Sequence, residues 1–171
     1  MTELPFGLPG RVLRSVMPFS RFDPSGEVWK AYRDYKVDTV IVLAGRQECW
    51  EYTGMDLLEF YREQGLKVIH VPVIDHASPA DRDALDLAVD QAWERARGGS
   101  AVAVHCYAGI GRTGTFAALL ARRALGMAGD EAITWLRKWV PGALETVAQQ
   151  EYVLNWQSPE PPAVSGPTPK S

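Results

Sequence analysis

An α/β domain built around a doubly covered parallel sheet is the fold class this chain predicts. Short apolar runs rich in β-branched residues recur along it, segments of helical periodicity fall between them, and glycine or proline marks the boundaries. The first strand is expected at Arg11 to Met17 (RVLRSVM), where mixed polarity suits a sheet edge. A helix follows over Ser25 to Asp34, then a strand over Asp38 to Leu43 (DTVIVL). The next helix spans Gly54 to Gln64, with Gly65 as its natural C-cap, ahead of a strand over Lys67 to Val73 (KVIHVPV). In Pro79 to Arg97, Leu85, Ala88, Val89, Ala92 and Ala96 share one face at helical spacing, and Gly98-Gly99 ends the pattern. The fourth strand, Ser100 to His105 (SAVAVH), leads into a glycine-rich loop and helices near Arg112 to Leu125, Asp130 to Trp139 and Thr146 to Trp156. Three of the four strands are almost wholly apolar, as strands covered on both faces must be. Residues 1–156 therefore read as one domain, and 157–171, rich in proline and small polar residues, as a flexible tail.

Composition narrows the function. A chain of 171 residues with 46% hydrophobic and 23% charged residues has ordinary globular proportions. Its formal net charge of -3 argues against a general binder of nucleic acid or anionic membrane, which would carry a basic face. The opening MTELPFGLPG lacks a signal-peptide pattern, and no apolar run reaches membrane-spanning length. Cys49 and Cys106 form neither a disulfide framework nor a C-x-x-C pair, so a reducing cytoplasm is the expected compartment. No metal-ligand spacing links the three histidines and two cysteines, and no cofactor is expected.

In open parallel sheets, ligands bind beyond the carboxyl ends of the strands. Three strands here run into loops carrying chemistry: GRQECWEY (Gly45 to Tyr52), IDHASP (Ile74 to Pro79) and the turn inside VAVHCYAGIGRTG (Val102 to Gly114). Opening at one end of the sheet, they would bring Asp75 and Cys106 together. The loop Cys106, Tyr107, Ala108, Gly109, Ile110, Gly111, Arg112 has little bulk, so its backbone N–H groups can turn inward as an anion nest. The helix that follows adds its positive N-terminal dipole. A tetrahedral phosphate fits such a cradle, and the same field favours a thiolate at Cys106. The planar fork of Arg112 suits two phosphate oxygens, and the Thr113 hydroxyl is placed to hydrogen-bond the sulfur. A Walker-type nucleotide loop is excluded, because no Gly-Lys-Ser/Thr ending follows.

HCYAGIGRTG resembles the His-Cys-x5-Arg-Ser/Thr signature of the cysteine-dependent protein tyrosine phosphatase superfamily, and in length and spacing the chain is similar to its small dual-specificity and kinase-associated branch. The resemblance implies a central, mainly parallel sheet of four to five strands flanked by helices. It also implies phosphomonoester hydrolysis through a cysteinyl-phosphate, with no metal. A leaving oxygen needs a proton, and Asp75, Asp81 and Asp83 follow the third strand. Asp75 is preferred, since VPVIDHASP resembles the family's Pro-x-x-Asp-x-x-x-Pro acid loop; Asp81 is expected to cap the next helix. PGALETVAQQEY resembles the family's Gly-x-x-Glu-x-x-x-Gln-x-x-aromatic stretch, implying that Gln149 positions the hydrolytic water; a plain surface glutamine is the alternative. Small members often carry an arginine where this chain has Val140, so any contact of that arginine is in doubt.

His105 leaves the strand opposite to Cys106 and is given a supporting role, holding loop carbonyls. Arg46, Glu48, Trp50 and Tyr52 are read as pocket rim, and Cys49 as a half-buried thiol, with a disulfide to an oxidised Cys106 as the alternative. Phosphoinositide-selective relatives carry lysines within the loop, where Tyr107 and Ile110 stand here. The expected partner is thus a phosphotyrosine protein or peptide, with phosphoserine and phosphothreonine second, acted on by a monomer. A phosphoinositide or inositol-phosphate phosphatase, an RNA 5′-triphosphate phosphatase, a phosphate-binding docking module without turnover, and a sulfur-transfer or arsenate-reducing enzyme are the alternatives.

Overall fold

The computed structural model describes residues 1–157, so the predicted tail lies, from residue 158 on, outside the described residues. Within them run β1 (Thr2–Leu4), β2 (Arg11–Ser15), α1 (Glu27–Asp34), β3 (Thr39–Val42), α2 (Arg46–Thr53), α3 (Leu57–Glu63) and β4 (Lys67–His70). Then come α4 (Arg82–Arg97), β5 (Ala101–His105), α5 (Gly111–Leu125), α6 (Gly129–Trp139) and α7 (Val147–Asn155). One sheet in the order β1-β2-β5-β3-β4 is parallel throughout except for β1, which pairs antiparallel with β2.

Alternation along each strand divides the core into two layers. Val12, Ile41, Ile69, Val102 and Val104 face α4 to α7, whereas Leu13, Val40, Val42 and Ala103 face α1 to α3. The apolar stripe expected on α4, from Leu85 to Ala96, is buried as a unit. Helix α5 is the central one, with every residue from Gly111 to Ala121 buried, which fixes the loop that precedes it. Among the described residues, no helix is long and apolar enough to cross a membrane.

Three expectations are corrected. The Arg11–Ser15 strand is interior, because the short β1 covers its outer side; three residues are too few to announce a strand by pattern. The stretch Arg46–Thr53, read as loop, is a helix. Only Cys49 of it is buried, so it shows no apolar period, and Glu48 starts it by accepting from the Gly45 N–H at 3.3 Å. The strand expected through Val73 ends at His70, yet the N–H groups of Val71 and Val73 still bond the Val42 and Leu43 carbonyls, at 3.0 and 2.9 Å. Pro72 supplies no N–H between them. Asp81 caps α4 as expected, accepting from Ala84 N at 2.9 Å.

Candidate active site

The loops after β3, β4 and β5 do open at one end of the sheet. They enclose a hollow of about 320 Å³, lined by Cys106, Tyr107 and Ala108, by Asp75 and His76, and by Arg21, Phe22, Tyr52 and Glu145. Cys106 is 3% exposed and lies where β5 gives way to α5. Residues just beyond β2 hold the loop from the other side: Met17 N–H bonds the Tyr107 carbonyl at 2.8 Å. Gly109 has φ of 73° and packs directly on Ser15; a Cβ there would stand 2.2 Å from the Ser15 carbonyl oxygen. No side chain fits that space, and L-residues avoid that backbone region. Ile110 is the N-cap of α5, and its carbonyl accepts from Gly114 N at 3.0 Å.

His105 is fully buried, and its partners define its chemistry. Burial lowers its pKa to about 4, while it pushes Tyr61 well above the usual phenol range, so both side chains are neutral. The imidazole Nδ1 donates to the Cys106 carbonyl at 2.9 Å, and Nε2 accepts from the Tyr61 hydroxyl at 3.0 Å. His105 therefore braces the loop through the main chain of the cysteine, and Tyr61 of α3 braces His105. Because the folded-state pKa lies below that of an unfolded histidine, the native state binds fewer protons between about pH 6.5 and 4. This part of the stability is present above pH 6.5 and is lost as the pH falls toward 4. Urea unfolding should show a loss of about 2 kcal/mol from pH 7 to pH 5 that His105→Gln removes; identical pH slopes for the two proteins would contradict the assignment.

Arg112 departs from the simple expectation of a free phosphate grip. Its side chain is fully buried, and its two terminal nitrogens donate to Glu48 at 2.8 and 2.7 Å, one of them also to the Val73 carbonyl at 3.1 Å. Nε lies 3.2 Å from Asp75 Oδ1, within ion-pair range but not aligned as a hydrogen bond. Burial works against the guanidinium charge; the Glu48 hydrogen bonds and the nearby Cys106 and Asp75 more than offset it and raise its pKa. A buried cation must be paired, and Glu48, one turn into a helix that patterning did not reveal, is the pair. Glu48 is thus an anchor of Arg112 rather than a rim residue.

Other expected residues divide. The Thr113 hydroxyl is buried without a hydrogen-bond partner, so the expected bond to the sulfur is not made. Gln149 is completely buried, which removes the surface alternative. Its Nε2 has no hydrogen-bond partner and lies against Gly111, where a Cβ would stand 2.9 Å from it, so a side chain there would displace the Gln149 amide from the loop. Cys49 is buried, and burial with the adjacent Glu48 charge pushes its thiol up to about 12. Such a thiol is a poor partner for exchange, and both cysteines are free.

A mainly parallel sheet with a Cys-x5-Arg loop between its central strand and a buried helix is the arrangement of the cysteine-dependent phosphatases, and the family match places the chain in their dual-specificity class. The chain belongs to the family described as Tc-R-P, polymorphic toxin system, DSP-PTPase phosphatase, whose model matches residues 18–124. It is 28% identical over 158 residues to the tyrosine-protein phosphatase cdc-14 of Caenorhabditis elegans, covering 88% of this chain and 20% of that protein. It is 27% identical over 122 residues to cyclin-dependent kinase inhibitor 3 of Mus musculus, covering 71% of this chain and 57% of the other. The chain thus spans a minor part of the first relative and just over half of the second. Among solved structures, Tk-PTP in its active form superposes with a TM-score of 0.70 at 30% identity, over 90% of this chain and 93% of that one. Kinase associated phosphatase superposes with a TM-score of 0.79 at 20% identity, over 89% and 90%, a likeness of fold.

Proposed function

We propose that the chain hydrolyses phosphate monoesters on proteins, phosphotyrosine first and phosphoserine or phosphothreonine second, through a cysteinyl-phosphate. The observation that carries this reading is Cys106 in the wall of an open hollow that Asp75 also lines, with the buried Arg112 behind it, its Nε 3.2 Å from Asp75 Oδ1. In the first step the Cys106 sulfur attacks phosphorus, the phosphorus–oxygen ester bond breaks, and Asp75 protonates the departing oxygen. In the second step Asp75 accepts a proton from a water held by Gln149, the water oxygen bonds phosphorus, and the sulfur leaves as thiolate. Residues Cys106 to Arg112 serve as the phosphate-binding loop (P-loop), and His105 supports it through the Cys106 carbonyl.

The wall of the hollow supports the preference for an aryl ester. Tyr52 stacks on Tyr107 with centroids 3.9 Å apart and planes 10° apart, and Phe22 meets Tyr107 edge-on at 5.0 Å. A flat aromatic ring gains contact there that a serine side chain is too short to reach. Free cysteines fit a reducing compartment such as the cytoplasm, and we read the chain as acting there as a monomer on phosphoprotein. A panel of phosphotyrosine, phosphoserine and phosphothreonine peptides, phosphoinositide and triphosphate-ended RNA tests this; preferred turnover of either non-peptide substrate would overturn it. Asp75→Asn should lower kcat/KM by about 10²-fold for alkyl phosphates and far less for p-nitrophenyl phosphate, whose leaving group needs no proton. Equal slowing of both would remove Asp75 from the acid role.

A further inference from the structure

We propose that Thr146 is a positioning residue that latches the Asp75 loop in its working place, a reading that rests on the phosphatase mechanism above. Residues 74–80 are poorly tied down. Ile74, Asp75 and His76 are exposed, and His76 holds φ of 59°, a left-handed conformation that costs energy in a residue with a Cβ. Within the loop, Ala77 N bonds the Ile74 carbonyl at 3.1 Å and His76 N bonds Asp75 Oδ1 at 3.1 Å. Among the described residues, one hydrogen bond joins this loop to another element: the Thr146 hydroxyl donates to the His76 carbonyl at 3.1 Å. The ion pair of Asp75 with Arg112 is the other tie, and it involves the very carboxylate that must exchange a proton.

The same hydroxyl accepts from Gln149 N at 3.2 Å and so caps α7, while Thr146 N donates to Gln149 Oε1 at 3.3 Å. That second bond holds the amide where it lies beside the loop at Gly111, whose Cβ would stand 2.9 Å from Nε2 and 3.1 Å from Oε1. One residue therefore sets the backbone next to the acid and the orientation of the glutamine over the loop. A hydroxyl does both because it donates once and accepts at the same time. Threonine is thus more than an ordinary helix cap, for which aspartate would serve equally well.

Loss of the latch should matter most where the leaving oxygen needs its proton. Thr146→Val, of the same shape without the hydroxyl, is expected to lower the ratio of kcat/KM for phenyl phosphate to that for p-nitrophenyl phosphate by about 2- to 10-fold, the worth of one hydrogen bond. Thr146→Ser should restore the ratio. Thr146→Asp keeps an acceptor for Gln149 N but has no proton for His76, so it should behave like valine. The ratio does not depend on how much of a variant is folded, so a weakened α7 cap cannot imitate the effect. An active wild-type enzyme with an unchanged ratio in the valine and aspartate variants overturns the latch alone. No wild-type turnover of either ester overturns both the latch and the phosphatase reading.

Discussion

Cys106→Ser is expected to reduce turnover of every phosphate ester by roughly 10⁴-fold or more while leaving the protein folded. The side chain is 3% exposed and close in size to serine, so the hollow keeps its shape. What disappears is the nucleophile: a serine hydroxyl needs a neighbouring base, and the imidazole next in sequence to it cannot act as one. His105 is engaged on both ring nitrogens, by the Cys106 carbonyl and by Tyr61, and points away from the hollow. Steady-state assay with a phosphotyrosine peptide, beside a thermal melt, gives the result directly. A serine variant retaining a tenth of the wild-type rate would mean that catalysis does not pass through this sulfur.

Arg112→Ala is expected to lose about 10²- to 10³-fold in kcat/KM, through both binding and rate, because the positive charge close to Cys106 vanishes at every stage. This variant should also be destabilised. The guanidinium is wholly buried and shared among Glu48, the Val73 carbonyl and Asp75, so its removal leaves a largely buried Glu48 carboxylate without its partner. Breaking such a pair costs about 3 kcal/mol or more. Arg112→Lys should recover part of the stability and little of the activity, since one ammonium cannot reproduce the paired contacts to both Glu48 oxygens. Urea unfolding of the three proteins separates the two effects. Full activity in the lysine variant would show that charge alone suffices.

Elements with a strong period were legible in the sequence. The apolar runs of β3 and β5 and the stripe from Leu85 to Ala96 leave one arrangement that buries them, and the loop after β5 announces its chemistry through residue types at fixed spacing. The position of Asp75 on the hollow was reachable by the same route, as the acidic residue nearest the end of the third expected strand. Partnerships formed across the fold were not. Glu48 meets Arg112 from 64 positions away, and its helix buries only one residue, so neither periodicity nor a local motif pointed to it. Tyr61 and His105 are 44 positions apart, and Thr146 and His76 are 70. Such contacts depend on where helices land on the sheet. Thr113 shows the reverse case: its residue type invited a bond to sulfur, and in the fold the buried hydroxyl makes no hydrogen bond.

Rapid acid quench of the enzyme with a phosphotyrosine substrate, followed by peptide mass mapping, tests the covalent step directly. One phosphoryl group per chain is expected on the peptide containing Cys106, formed before steady turnover and absent from Cys106→Ser. Continued turnover with no such adduct, or with the phosphoryl group on another residue, would contradict it.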